Sequence, residues 1–494
     1  MMTPTSPLRQ TPKMVLMGLL VFIFLGRLWP AEEHIVIFHL NDLHGRIDPL
    51  AKVARLVEVE RRQNPNVFLV TAGDNFSGNP VVDQYRPRGF PILDLQNRLG
   101  FAIEELGNHE FDYGQQALDY FIDQARFTII CANLRHLKPG GISVSPYAIR
   151  QTLSGTRIAF LGLIQADPQT KIPDTHPANL AGLAFDDPLQ TAIHYRFLRQ
   201  RNQVFVALTH LGYDLDVRLA QELKELDVII GGHSHTAIPE PAETNGVLIV
   251  QAGSEARFLG RVDVIVDGGR VKKKTGRLID LQSVTGEDAA ISRRIADFNR
   301  NPELERILAR LPFTLEGKDA LGCLMTDAIR KELNLDVAFQ NMGGIRLSFL
   351  KDPIQLKDVF RLDPFNNEVV RYTLSGKEIR RLIAYAFERG GQIDLQVSGI
   401  CYDVKSDAAG KAVDVIITAE DGSPWDEERS YQVGLSSYVA ATYQVPFQDA
   451  GESLRVRTND LLIRFISSRP DWQRYRGVIR ARVQPAVVGG ADAR

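Results

Sequence analysis

"GNHEFDYG", residues 107–114, sets Asn108, His109, Glu110 and Asp112 side by side between two glycines. A polar loop needs no such set, and a core cannot bury these groups unpaired. The stretches on either side show what fold could gather partners for them. From His34 onward, short β-branched runs end in loops rich in Gly, Asp, Asn and His: "HIVIFHL" before "NDLHG", "NVFLV" before "TAGDN", "VFVAL" before "THLG" and "LDVII" before "GGHSHT". Helical patterns such as "PLAKVARLVEVERRQ" and "PLQTAIHYRFLRQ" lie between several of them, which predicts alternating β and α units in a layered α/β domain. Ligands in such folds collect beyond the carboxyl ends of the strands, and each of these loops follows its strand directly.

A chain of 494 residues, 44% hydrophobic and 24% charged, is globular in composition and too long for one core, so two domains are expected. The 58 basic and 60 acidic side chains leave a net charge of -2, which gives no general field to draw in a nucleic-acid polymer. No partner protein is indicated. Cys131, Cys323 and Cys401 are odd in number and far apart, so neither a disulfide framework nor a thiolate metal site is suggested. Arg9 and Lys13 precede the apolar run "MVLMGLLVFIFLG" at 14–26, which has the length of a signal-peptide core and is short for a membrane span. Residues 1–31 therefore read as a signal peptide of an exported, periplasmic or extracellular protein. Trp29 and Ala31 make a poor small-x-small cleavage site, so an uncleaved membrane anchor stays open, as does a buried helix of the first domain.

The first domain is expected over 32–284, ending with the strand-like "VLIVQAG" and "LGRVDVIVDG". Residues 285–311 are charged and helical in period, the pattern of a helical linker. A smaller α/β or α+β domain follows over 312–484, with a helix in "LGCLMTDAIRKEL", a strand running into "NMGGIR", a helix in "SGKEIRRLIAYAFERG" and strands near "VSGICYDV" and "RSYQVGLSS". Residues 485–494 read as a disordered tail.

Asp42 and His44 lie two apart just after a strand, so both side chains fall on one side and could share a cation; a turn aspartate with a surface histidine would leave the same pattern. Asp74 in "AGDN" could equally cap a helix, and His210 could be a satisfied core histidine. His233 and His235 are harder to explain by packing, because two alternating imidazoles after the glycines of a strand end suit metal ligation. Of the 10 histidines, five sit in strand-end loops of one expected domain beside Asp42, Asp74 and Asn108.

Taken in order, "NDLHG", "AGDN", "GNHEFDYG", "THLG" and "GGHSH" resemble the calcineurin-like metallophosphoesterases, specifically the two-domain 5′-nucleotidase family that includes bacterial UDP-sugar hydrolases. "NMGGIR", "LDPFNNEV" and "LQVSG" extend the resemblance through the second domain, so it covers His34 to about Arg482. The resemblance implies a layered β-sandwich flanked by helices. It also implies one metal held by Asp42, His44, Asp74 and His235, and a second held by Asp74, Asn108, His210 and His233, with Asp74 bridging. Such mixed ligands fit Zn²⁺, Mn²⁺, Co²⁺ or Fe²⁺ better than Mg²⁺. Two ions close together neutralise a phosphoryl dianion and activate a water in line with the leaving group. His109, held by Asp112, would then stabilise or protonate the leaving oxygen, and Glu110 is read as structural.

In the second domain the resemblance implies that the "NMGGIR" loop recognises substrate through Asn341, Gly343, Gly344 and above all Arg346, with Asn366 and Asn367 contributing. Relatives usually read "NGGGIR", where Met342 here adds a side chain. They also clamp a nucleobase between an aromatic at the head of "FLQVSG", which is Asp394 here, and another in a "GGDGY" or "GGDGF" loop. Here that region reads "SSYVAATYQVPFQDAGE", where Tyr438, Tyr443 or Phe447 could substitute. The expected substrate is a small phosphoester such as a nucleoside monophosphate or UDP-sugar. A thiosulfohydrolase branch of the same family, a phosphoesterase acting on substrates without a base, and a non-catalytic protein kept stable by its metals are the alternatives.

Overall fold

The computed structural model describes residues 32–138, 140–407 and 411–485. The apolar segment at 14–26 and the tail beyond 485 lie outside them, and no helix among the described residues is long and apolar enough to cross a membrane.

Two six-stranded sheets pack face to face in the first domain. One runs, edge to edge, Arg270–Asp280, Phe258–Asp267, Glu33–Leu40, Val67–Thr71, Ile103–Glu105, Thr128–Ile130. The other runs Ala242–Thr244, Val247–Val250, Val228–Gly231, Val204–His210, Arg157–Ile164, Tyr147–Gln151. Side chains alternate across each strand. Ile35 and Ile37 thus point between the sheets with Val206, Leu208 and Ile230, while Val36, Phe38 and Leu40 face Val53 and Leu95 of the outer helices Leu50–Arg61 and Phe90–Leu99. The central strands are parallel and covered on both faces, which is why they read as unbroken apolar runs and not as an alternating pattern. Their carboxyl ends carry the polar loops of both sheets to one rim.

The second domain is built on a five-stranded sheet in the order Leu395–Ser398, Val337–Asn341, Ser430–Ser436, Glu368–Ser375, Glu452–Arg457. Helices Lys318–Glu332, Gly376–Glu388 and Thr458–Ser467 cover it. Asp327, fully buried on the first of these, accepts hydrogen bonds from Arg480 Nη1 at 2.7 Å, Ser398 Oγ at 2.6 Å and Tyr475 Oη at 2.9 Å.

The expected helical linker over 285–311 divides into two parts. Helix Ala289–Asn299 drives Ile291, Ile295 and Phe298 into the first domain's core, and Arg294 Nε donates to Asp94 at 2.8 Å. Ile307–Ala309 is instead a short strand paired antiparallel with Ile354–Gln355 of the second domain. Three residues are too few to show a period of two, and the partner strand lies far downstream.

Candidate metal centre and substrate cleft

The two glycines that frame the opening stretch are set by space and by backbone. A Cβ on Gly107 would lie 2.1 Å from Asp74 Oδ1, and Gly114 has φ 83° ahead of helix Gln115–Gln124. Between them, Glu110 is fully buried and its carboxylate accepts the backbone N–H groups of Asp74 at 2.9 Å, Asn75 at 2.6 Å and Gly107 at 2.7 Å. One side chain thereby pins two strand-end loops together. Burial and then the Asp74 charge push its carboxyl up to about 7. Glu110→Ala orphans three backbone donors, so it is expected to cost at least the about 1–3 kcal/mol of one unsatisfied buried group, read as a lower Tm together with reduced metal content.

Around this pin the strand-end loops converge. Ligand atoms of Asp42, His44 and His235, of Asp42, Asp74 and His210, and of His44, Asp74 and His109 form three groups, each within 4.8 Å. His44 Nδ1 donates to the Ser77 carbonyl at 3.1 Å, which turns its Nε2 toward His235 Nε2 at 3.0 Å. His210 Nδ1 donates to the Ala72 carbonyl at 2.7 Å, so its Nε2, which has no hydrogen-bond partner, faces Asp74 Oδ2 at 3.1 Å and Asp42 Oδ1 at 3.9 Å. His233 Nδ1 and Asn108 Oδ1 meet at 3.1 Å, and both Asp42 oxygens accept the His233 N–H. Asp42 Oδ1 lies 3.4 Å from His235 Nε2, so Asp42 as well as Asp74 lies between the groups.

Burial first, then neighbouring cations, lower His44 to about 3 and His233 to about 4, leaving neutral imidazoles of the kind that bind metal. Both carboxyls stay ionised: against burial, His210 and other imidazoles hold Asp74 well below the usual range, and His235 and His210 lower Asp42. Two buried carboxylates facing orphaned or opposed imidazole nitrogens form a donor set that fits a divalent cation. Asp42, His44, Asp74, His233 and His235 all hold left-handed backbone, with φ between 47° and 77°. This conformation is uncommon for non-glycine residues and concentrates at functional sites.

His109 faces the cluster from the cleft side. Its Nδ1 donates to Asp112 Oδ2 at 2.6 Å, and Nε2 stands 3.8 Å from Asp74 Oδ2. Burial alone would lower its pKa, but Asp74 and Asp112 raise it to about 9. The cleft it enters has a volume of about 610 Å³ and lies between the domains, with Asp112, Asn341, Gly343, Gly344, Arg346, Asn366 and Asn367 in its walls. Asn367 also serves the fold, its Oδ1 accepting from Ser437 Oγ and the Tyr438 N–H.

Phe447 does not line the cleft. Its ring sits edge-on to Tyr372 at 5.2 Å against the second domain's core, so it cannot rebuild a base clamp there. Tyr443 is buried, and its hydroxyl donates to the Asp394 carboxylate with Arg389 4.5 Å above the ring. Asp394 is thus tied up by Tyr443 and does not line the cleft. Of the three aromatic candidates only Tyr438 reaches the cleft wall.

Other residues act here that motif reading passed over. Asn41 Nδ2 donates to Asp42 Oδ2 at 2.7 Å and to the Gly253 carbonyl at 2.6 Å; its place before Asp42 in "NDLHG" was the available signal. Phe365 of the second domain stacks on His109 at 5.7 Å, with Arg346 5.8 Å from its ring. Nothing in sequence pointed to that contact.

Known proteins match in the same order as these parts. The family model described as calcineurin-like phosphoesterase matches residues 35–237, and that described as 5′-nucleotidase, C-terminal domain, matches 307–447. The chain is 26% identical over 473 residues to a trifunctional nucleotide phosphoesterase protein of Bacillus subtilis, with 82% of this chain but only 32% of that protein covered; it spans about a third of that relative's length. It is 26% identical to the 5′-nucleotidase of Rattus norvegicus, covering 87% of this chain and 86% of the relative. The crystal structure of a 5′-nucleotidase precursor from Thermus thermophilus superposes with a TM-score of 0.77 at 26% identity, over 91% of this chain and 99% of that one. With both family models matched in sequence order and a solved 5′-nucleotidase sharing the whole two-domain fold, the chain belongs to the calcineurin-like phosphoesterases of the 5′-nucleotidase type.

Proposed function

We propose that the protein is a divalent-metal-dependent phosphoesterase acting on small phosphoesters, with nucleoside monophosphates and UDP-sugars as first candidates. The observation that carries this is the His109–Asp112 pair, set on the cleft side of a cluster of two buried carboxylates and four imidazoles. Asp42, His44, Asp74, Asn108, His210, His233 and His235 would hold two metal ions, which supply charge neutralisation of the phosphoryl group and activation of water. Asp112 would hold His109 by Nδ1, leaving Nε2, 3.8 Å from Asp74 Oδ2, to hold the proton given to the leaving oxygen. Arg346, which lines the cleft from the second domain, would bind the remainder of the substrate. The names of the relatives, a nucleotide phosphoesterase and 5′-nucleotidases, support nucleotide substrates. The basic-then-apolar order of residues 9–26 supports export.

Phosphate release from AMP, CMP, UDP-glucose, a cyclic nucleotide and p-nitrophenyl phosphate, with added Zn²⁺, Mn²⁺ or Co²⁺ and after chelation, tests the reading. Metal-dependent release is expected, and none from any substrate under any metal would reject it. Tyr438 is the single remaining aromatic of the three candidates at the cleft wall, and a full base stack contributes about 1–3 kcal/mol. The kcat/KM values for AMP and CMP are therefore expected to agree within about tenfold. A larger preference for AMP that Tyr438→Ala abolishes would show a working clamp.

A further inference from the structure

The segment Asp174–Thr175 belongs to the first domain yet touches three things at once. Thr175 Oγ1 donates to Asp112 Oδ1 at 2.8 Å, the oxygen that His109 does not use. The Asp174 carbonyl accepts from Asn108 Nδ2 at 3.0 Å, which fixes the amide so that Oδ1 faces His233. The Asp174 carboxylate accepts the hydroxyl of Tyr438, which comes from the second domain. From that same domain Phe365 lies against the His109 ring, 22° from parallel. All five side chains, Asp112, Asp174, Thr175, Tyr438 and Phe365, border the cleft.

Resting on the phosphoesterase reading, we propose that Thr175, Asp174 and Tyr438 are positioning residues that link the seating of the second domain to the orientation of the His109–Asp112 pair. An aspartate with one oxygen bound by a fixed hydroxyl and the other by an imidazole has no freedom to swing. Its imidazole is further confined by a ring on one face. Withdrawal of the second domain removes the Tyr438 hydroxyl and the Phe365 ring together, so the pair is fully ordered only when the cleft wall is in place.

Thr175→Val and Tyr438→Phe each remove one hydroxyl and keep shape. Proton transfer to the leaving oxygen matters for an alkyl ester and little for p-nitrophenolate, which leaves readily. Each variant is therefore expected to lose kcat at least fivefold more on AMP than on p-nitrophenyl phosphate, while KM changes little. The double variant should lose no more than the worse single one. Equal losses on both esters, or losses that multiply in the double variant, would overturn the link. In metal-free protein, proton NMR offers a readout independent of turnover: the deshielded Nδ1 proton of His109, assigned by its absence in His109→Gln, should move upfield in both variants. An unmoved resonance would overturn the link even if the parent hydrolysed nothing, whereas an inert parent with a shifted resonance would reject only the phosphoesterase reading.

Discussion

His109→Ala is expected to lower kcat on an alkyl phosphate by about 10² to 10⁴ while bound metal stays at the parent's level, because the imidazole is proposed to serve the leaving group. The geometry makes this a sharp test, since His109 also falls in one of the three metal-compatible groups, with His44 and Asp74. What separates the roles is the partner of Nδ1. Asp112 takes that proton at 2.6 Å, and Nε2 stands off Asp74 at 3.8 Å, farther than His210 at 3.1 Å. Asp74→Ala is expected to behave in the opposite way, losing metal along with activity, as its carboxylate faces His210 and its other oxygen holds the His109 N–H at 2.9 Å. Elemental analysis of both purified variants decides the matter: metal lost from His109→Ala would make that residue a ligand.

The second large effect concerns stability. Arg480→Met leaves the Asp327 carboxylate buried without its principal partner, and breaking such a pair costs about 3–5 kcal/mol. Lys331 Nζ, 3.6 Å from Asp327, places the expectation at the lower end. For a domain of this size that amounts to a fall in Tm on the order of 10 °C, measurable by calorimetry. The sign of the pH dependence follows from the carboxyl. Against the penalty of burial, Arg480, Ser398 and Tyr475 hold Asp327 down at about 2, below its ordinary value of 3.8. A depressed folded-state value contributes stability that is complete above pH 3.8 and is lost as pH falls toward 2, about 2 kcal/mol in all. Asp327→Asn should remove that acid-limb dependence. A parent and variant with superimposable acid unfolding curves would show that the network does not hold the proton off.

Much of the cluster could be read in the sequence because strand-end loops of a parallel sheet carry their polar side chains in short local patterns. "NDLHG" and "GGHSH" each deliver two donors within three residues, and the two six-stranded sheets bring them to one rim. What escaped reading depends on partners that leave no local trace. Glu110 reads as structural, but what it holds does not show: its partners are three backbone N–H groups, which every residue type but proline offers. The strand at Ile307–Ala309 exists through a pairing made across the sequence. Phe447 was plausible as a clamp by its position near the family's aromatic loop, but Tyr372 takes its ring into the second domain's core. Asp394 replaces a stacking ring, yet Tyr443 and Arg389 absorb its charge, a compensation visible only once the side chains are placed.

The left-handed backbone shared by Asp42, His44, Asp74, His233 and His235 makes the ligand loops poorer for the metal-free fold than a glycine-bearing version of the same loops would be. An L-residue held there carries about 1–2 kcal/mol of steric cost that glycine does not. At His235, the most exposed of the five, a glycine variant should therefore outlast an alanine variant in thermal unfolding of the metal-free protein, although both lose the same imidazole. Selection for durability alone would drift toward glycine at each of these positions. Engineering campaigns that screen this chain for heat tolerance without screening for turnover should accordingly collect their gains at the rim of the sandwich and deliver robust, inactive proteins.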